Sequence, residues 1–176
     1  YSNDFFRWGE LYVSIRMANI VIARIGECTD ITDFERRDFL GRAYFIRAYS
    51  YYTLMMQYGP VPIVPDQAFP TNASVDQMSY PRATYTECVE KICSDFEQAA
   101  SLLKAADERD ASTYRIPTSG AALALMSRVR LEAASPWFNG NKYYYDFLRS
   151  SDNQPYFPQN YDSHKWAVAA VAAKRV

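Results

Sequence analysis

The chain has 176 residues, 49% apolar and 22% charged, the balance of one globular domain and not of a disordered or fibrous sequence. Nineteen basic and twenty acidic side chains leave a net charge of −1, without the basic excess of a nucleic-acid binder, so no nucleic-acid partner is expected. No apolar run reaches the ~20 residues of a membrane-spanning helix, while aromatic residues stand high at 16%, fifteen of them Tyr.

Trp8, Leu11, Tyr12, Ile15, Ala18, Ile22 and Ile25 recur at three- and four-residue spacing and predict a first helix over about 5–27. Val13, Met17, Ile20 and Val21 lie off that stripe, so this helix reads as sandwiched between neighbours. Thr32-Asp33-Phe34-Glu35 is a capping box that opens a second helix over about 32–57. On its inner side Gly41 and Ala48 leave shallow spots where another helix can approach closely. Tyr58-Gly59-Pro60-Val61-Pro62 stops it and begins a long proline-rich connection, 59–83.

A second capping box, Thr84-Tyr85-Thr86-Glu87, opens a third helix over about 84–106, with Tyr85, Val89, Ile92, Phe96, Ala99 and Leu103 facing inward. A helix rich in alanine follows Pro117, over about 118–135, and Pro136 ends it. The next connection, 136–161, is long and dense in aromatic residues, and Asp162 opens a fifth helix over 162–176.

This pattern is all-α, and residues 1–176 read as part of a single domain of antiparallel helix pairs of the tetratricopeptide type. Leu40-Gly41-x2-Tyr44 matches a scrap of that repeat, although Arg37 holds its Trp position. The chain starts at Tyr1 and stops within a helical pattern, so it reads as a piece of a longer protein. Cys28, Cys88 and Cys93 lack metal-ligand spacing and His164 is the only histidine. The cysteines therefore read as small hydrophobes, and neither a metal nor a cofactor is expected.

Taken in order, the segments resemble the SusD/RagB family of outer-membrane nutrient-binding lipoproteins. The resemblance is carried by Trp8-x2-Leu11-Tyr12-x2-Ile15-x3-Asn19, by Arg47-Ala48 and by Tyr58-Gly59-Pro60-Val61-Pro62-Ile63. Ile92-x2-Asp95-Phe96-x2-Ala99, Arg115-x-Pro117-Thr118-x2-Ala121-Ala122 and Arg128-Val129-x-Leu131 continue it. Ser135-Pro136-Trp137-Phe138-Asn139 and Asp162-x2-Lys165-Trp166-x2-Ala169-Ala170-x2-Ala173-Lys174 complete it. Phe96 stands where the family usually has Leu, and Ser119 where Lys is common.

The resemblance implies a tetratricopeptide-like right-handed superhelix with long loops that carry a glycan-binding surface. It further implies a lipid-anchored, surface-exposed outer-membrane protein that captures oligosaccharide. Its partner would be a SusC-like TonB-dependent outer-membrane transporter. Two other readings stand beside it: a tetratricopeptide-like scaffold for a protein or peptide, and an all-α glycosidase.

Asn19 falls inside an apolar stripe, where it reads either as a ligand contact or, preferably, as an amide bonded to backbone of a neighbouring element. Arg47 and Asp95 read as structural in the same way. The loop 136–161 offers the candidate ligand-binding residues Trp137, Asn139 and Tyr143: aromatic faces to stack on sugar rings, and amides such as Asn139 and Asn141, with Asp146, to bond hydroxyls. The competing reading has these rings fasten the loop to the helices, with Trp137 and Phe138 tucked beneath it. No catalytic residue is assigned, because no phosphate-cradling glycine loop or nucleophile signature occurs.

Overall fold

The computed structural model describes residues 7–67, 69–70, 72–110 and 112–176. Phe5 and Phe6, with which the first helix was expected to begin, lie outside the described residues. Among the described residues there are five long helices, α1 (Trp8–Arg24), α2 (Asp33–Tyr58), α4 (Tyr85–Leu102), α5 (Ser119–Ala134) and α6 (His164–Ala173), with a one-turn α3 (Val75–Met78) between α2 and α4. They pack in series, α1 on α2, α2 on α4, α4 on α5 and α5 on α6, in a tetratricopeptide-like all-α arrangement.

Local chemistry sets the helix starts. In both expected capping boxes the Thr hydroxyl accepts from the amide of Glu35 or Glu87, and the Glu carboxylate accepts in return from the Thr amide. Ser74 and Gln77 form a third box and wind α3 inside a connection that reads as irregular, because no apolar run follows them in the sequence. At Gly41 of α2 the end of α4 approaches closely: a Cβ there would sit 3.0 Å from side-chain atoms of Leu102 and Leu103.

The core is a single cluster in which α2 gives Ala48, Tyr51, Tyr52 and Leu54 and α4 gives Val89, Ile92, Phe96 and Ala99. Cys88 and Cys93 widen the apolar side of α4; burial pushes the Cys88 thiol up to about 11 and the Cys93 thiol up to about 12, so both stay protonated at neutral pH. Cys28 is exposed. α1 differs from its expected setting. It buries Leu11, Ile15 and Ala18, but among the described residues nothing covers Val13 and Met17, the latter 62% exposed.

One polar cluster crosses this core. The Arg47 guanidinium donates from Nε and Nη2 to the two carboxylate oxygens of Asp95, at 2.7 Å each. Its Nη1 donates to Asn19 Oδ1 at 2.7 Å and Asp66 Oδ1 at 2.8 Å, and it lies over the Tyr44 ring. Asn19 Nδ2 donates onward to the Pro65 carbonyl, and Lys91 pairs with Asp66. α1, α2, α4 and the connection after α2 therefore meet on one guanidinium. Asn19 is thus an internal strut whose amide bonds Arg47 and the Pro65 carbonyl.

Removing one member of such a pair strands a buried charge. Asp95→Ala is expected to lower unfolding free energy by about 3–5 kcal/mol, and Asn19→Ala by about 1–3 kcal/mol, in denaturant titrations. The double variant Arg47→Met/Asp95→Leu is expected to lose less than Asp95→Ala alone, since it leaves no unpaired ion.

Candidate functional site

The loop after α5 is built from its base outward. Ser135 accepts the amides of Phe138 and Asn139 on its carbonyl, at 3.0 and 2.9 Å, and this turn leads the chain off α5. Asn139 is only 2% exposed. Its Nδ2 donates to the carbonyls of Ala134 (3.3 Å) and Asp162 (2.8 Å), and its Oδ1 accepts the Asp162 amide at 2.9 Å. Gly140 follows at φ +81°, with the Tyr161 backbone so close that a Cβ would come within 2.5 Å of its nitrogen. The two ends of the loop are thus clamped side by side before α6 begins.

Inside the loop the aromatic residues divide into two sets. Tyr85 at the start of α4 stacks on Phe138 (centroids 4.5 Å apart), Phe138 faces Phe157 at 6.0 Å, and Phe157 stacks on Tyr144 at 4.5 Å. The Tyr85 amide also donates to the Tyr156 carbonyl at 2.8 Å, satisfying an amide that the first turn of α4 leaves free. These rings do what a long loop requires to hold its shape: they fasten it to the scaffold.

The second set faces outward. Trp137 is 57% exposed and touches the inner set only edge-on, against Tyr144; Tyr143 is 85% exposed, and Tyr145 and Tyr161 are exposed as well. Asn141 ties the first two together, donating from Nδ2 to the Trp137 carbonyl (3.1 Å) and accepting the Tyr143 amide on Oδ1 (2.9 Å). So of the three candidate residues, Trp137 and Tyr143 stand at the surface on backbone joined by one side chain. Asn139 is committed to backbone at the loop base, and Asn141 to holding the two aromatic residues. The tucked position expected of Trp137 is taken by Phe138 alone.

Beyond the rings, the loop folds back on itself. Leu148 and Pro155 form an isolated antiparallel bridge, and Asn153 turns the tip at φ 55°. Arg149 clasps Asp152 and reaches Glu87 on α4. The outward surface is therefore a set of neutral aromatic faces with phenol hydroxyls on a braced loop, suited to stacking against a flat or ring-shaped ligand.

The model of the SusD-like family, described as starch-binding and associating with the outer membrane, matches residues 2–131. The SusD-like protein P38 of Formosa agariphila is 30% identical over 101 residues, which are 56% of this chain and 18% of that protein. Among solved structures, BT4246 superposes with a TM-score of 0.80 at 25% identity, over 96% of this chain and 28% of its own. A SusD-like protein of Bacteroides fragilis does so with a TM-score of 0.64 at 30% identity, over 72% of this chain and 23% of its own. The chain spans less than a third of the length of each of these relatives. It belongs to the SusD-like family.

Asn139→Ala leaves three backbone groups at the loop base without this partner. It is expected to cost about 1–3 kcal/mol of stability and to raise amide hydrogen exchange across 140–161 while α2 and α4 stay protected. Uniform loss of protection would show that the residue supports the whole core and not the loop.

Proposed function

We propose that this chain is part of a single domain in a SusD-like protein that captures glycans at the cell surface for a TonB-dependent, SusC-like transporter. In this reading the full-length protein is lipid-anchored in the outer membrane and surface-exposed, binds oligosaccharide without a cofactor and performs no chemistry on it. The observation that carries the proposal is the outward aromatic set, Trp137 and Tyr143 above all. A long loop clamped at its base presents an indole and a phenol to solvent in a family described as starch-binding. An indole offers a broad apolar face at low rotamer cost, which suits the apolar face of a pyranose ring.

The carboxylates fit binding better than hydrolysis. Glycoside cleavage requires one carboxyl held protonated opposite another. Here the Thr84 amide and hydroxyl, with Arg149 beyond, hold Glu87 below the usual carboxylate range, and Arg175 does the same for Glu97. Glu90 is taken up by Arg130. Carboxyls held below their usual range, as Glu87 and Glu97 are, make poor proton donors.

The scaffold reading draws support from the uncovered side of α1, where Val13 and Met17 meet Phe39 and Ile46 of α2 in an open apolar groove. A protein partner on that groove and a glycan on the loop are compatible.

Stacking on an aromatic ring contributes about 1–3 kcal/mol in the analogous case of bases on aromatic platforms. Trp137→Ala in the full-length protein is therefore expected to weaken glycan binding about tenfold while leaving the melting temperature nearly unchanged. Sugar should also alter tryptophan fluorescence on titration. Intact affinity with lost stability would assign Trp137 to the scaffold. Incubation with common polysaccharides is expected to release no reducing ends; release abolished by changing one carboxylate would refute the non-enzymatic reading.

A further inference from the structure

A second recess lies on the other flank of the molecule, between α1 and the connection that follows α2. It is a cleft of about 390 Å³, inside the range of about 300–1,000 Å³ usual for small-molecule sites. Trp8 on α1 and Phe69 and Tyr80 on the connection supply its walls, the latter two with ring centroids 5.9 Å apart. Gln67 and Ser79 are exposed polar groups at its edge. Arg16, half-buried two turns along α1 from Trp8, lines it as well.

The charge of this cleft is set by a single guanidinium among its described residues. Among the described residues, Arg16 is the one charged side chain in its lining. Among the described residues its guanidinium makes one hydrogen bond, from Nη1 to the Phe69 carbonyl at 2.8 Å, and no ion pair. That bond fixes the guanidinium against the cleft wall and leaves the remaining donors of the fork for a ligand. Asp66, next to Gln67, is already neutralised by Arg47 and Lys91. A guanidinium held in place beside aromatic walls, with no carboxylate among the described residues of the lining, selects an anion on a ring.

We infer that this cleft is a second saccharide site, one that takes an acidic sugar unit, with Arg16 pairing its carboxylate or sulfate ester and Trp8 or Tyr80 stacking on the ring. The saccharide class rests on the glycan-binding reading above; the acidity rests on Arg16. A uronate and a sulfated sugar present the same charge to the fork.

The test uses the intact protein and calorimetry with three probes: an oligogalacturonate, the same oligomer with its carboxyls methyl-esterified, and a sulfated galactan oligosaccharide. Binding of an acidic probe is expected to weaken with added salt, and the esterified oligomer is expected to bind at least tenfold more weakly than its free acid. Arg16→Gln keeps a donor for the Phe69 carbonyl while removing the charge; it should erase the preference for the acid and leave the melting temperature within experimental scatter. Tyr80→Ala, on exposed non-helical backbone, should weaken the same probes. Preference for the galacturonate or for the galactan tells which anion the site takes. Equal affinity for acid and ester, an unchanged preference in Arg16→Gln, or no binding of either acidic probe would each overturn the inference. Neutral-glycan binding that depends on Trp137 is measured in parallel, and its survival in any of these cases separates failure of the cleft from failure of the glycan-binding reading.

Discussion

A buried guanidinium costs several kcal/mol unless the protein replaces its water with oxygen atoms placed where its five N–H groups point. Arg47 and Asp95, each 2% exposed, meet that condition only when four segments arrive together. α4 must offer both carboxylate oxygens, α1 the side-chain Oδ1 of Asn19, and the connection after α2 the Asp66 carboxylate. Apolar packing alone is tolerant of small slips between helices; a two-pronged ion pair is not. Register between α2 and α4 and the path of the connection over α1 are thereby set by the same side chain. The cleft beside Arg16 inherits its shape from that arrangement, because Asn19, which lines its floor, also holds the Pro65 carbonyl.

The loop after α5 solves a different problem with a different material. It has little regular backbone bonding of its own, so its order comes from stacked rings and from amides that replace secondary structure. Phe138, Phe157 and Tyr144 form a column on Tyr85, and Asn139 and Asn141 supply bonds that a strand or helix would otherwise provide. Because the inner rings carry the fastening, the outer ones are released from it. Trp137 and Phe138 are neighbours in sequence with opposite duties.

The helices were legible because their signals are local and periodic. The Thr-x-x-Glu boxes and the stripe from Tyr85 to Ala99 state where α2 and α4 begin and which side turns inward. Asn19 was legible as an internal amide, since it interrupts an apolar stripe. Its partner was not, because Arg47 lies 28 residues further on and pairing at that distance leaves no periodic trace. The roles of the loop residues were hidden for the same reason: with no repeat to separate buried from exposed positions, Asn139 and Asn141 read as ligand groups although their amides serve backbone. The open side of α1 shows a further limit. Its apolar character is written in Val13 and Met17, but whether anything rests on them depends on neighbours and not on the helix.

The clamp at Asn139 and Asp162 brings the two roots of the excursion within a single side chain's reach, so the segment between them is closed into a ring that touches the frame again only through α4, at Tyr85 and Glu87, among the contacts described above. Closure entropy rises slowly with contour length, by only about 0.6 kcal/mol for each doubling. A segment of different length or composition grafted between those roots would leave α5 and α6 docked as before, provided it supplied a ring to continue the column on Tyr85. The molecule thus separates a helical frame from a segment whose contents the frame does not dictate, with the border drawn at one asparagine.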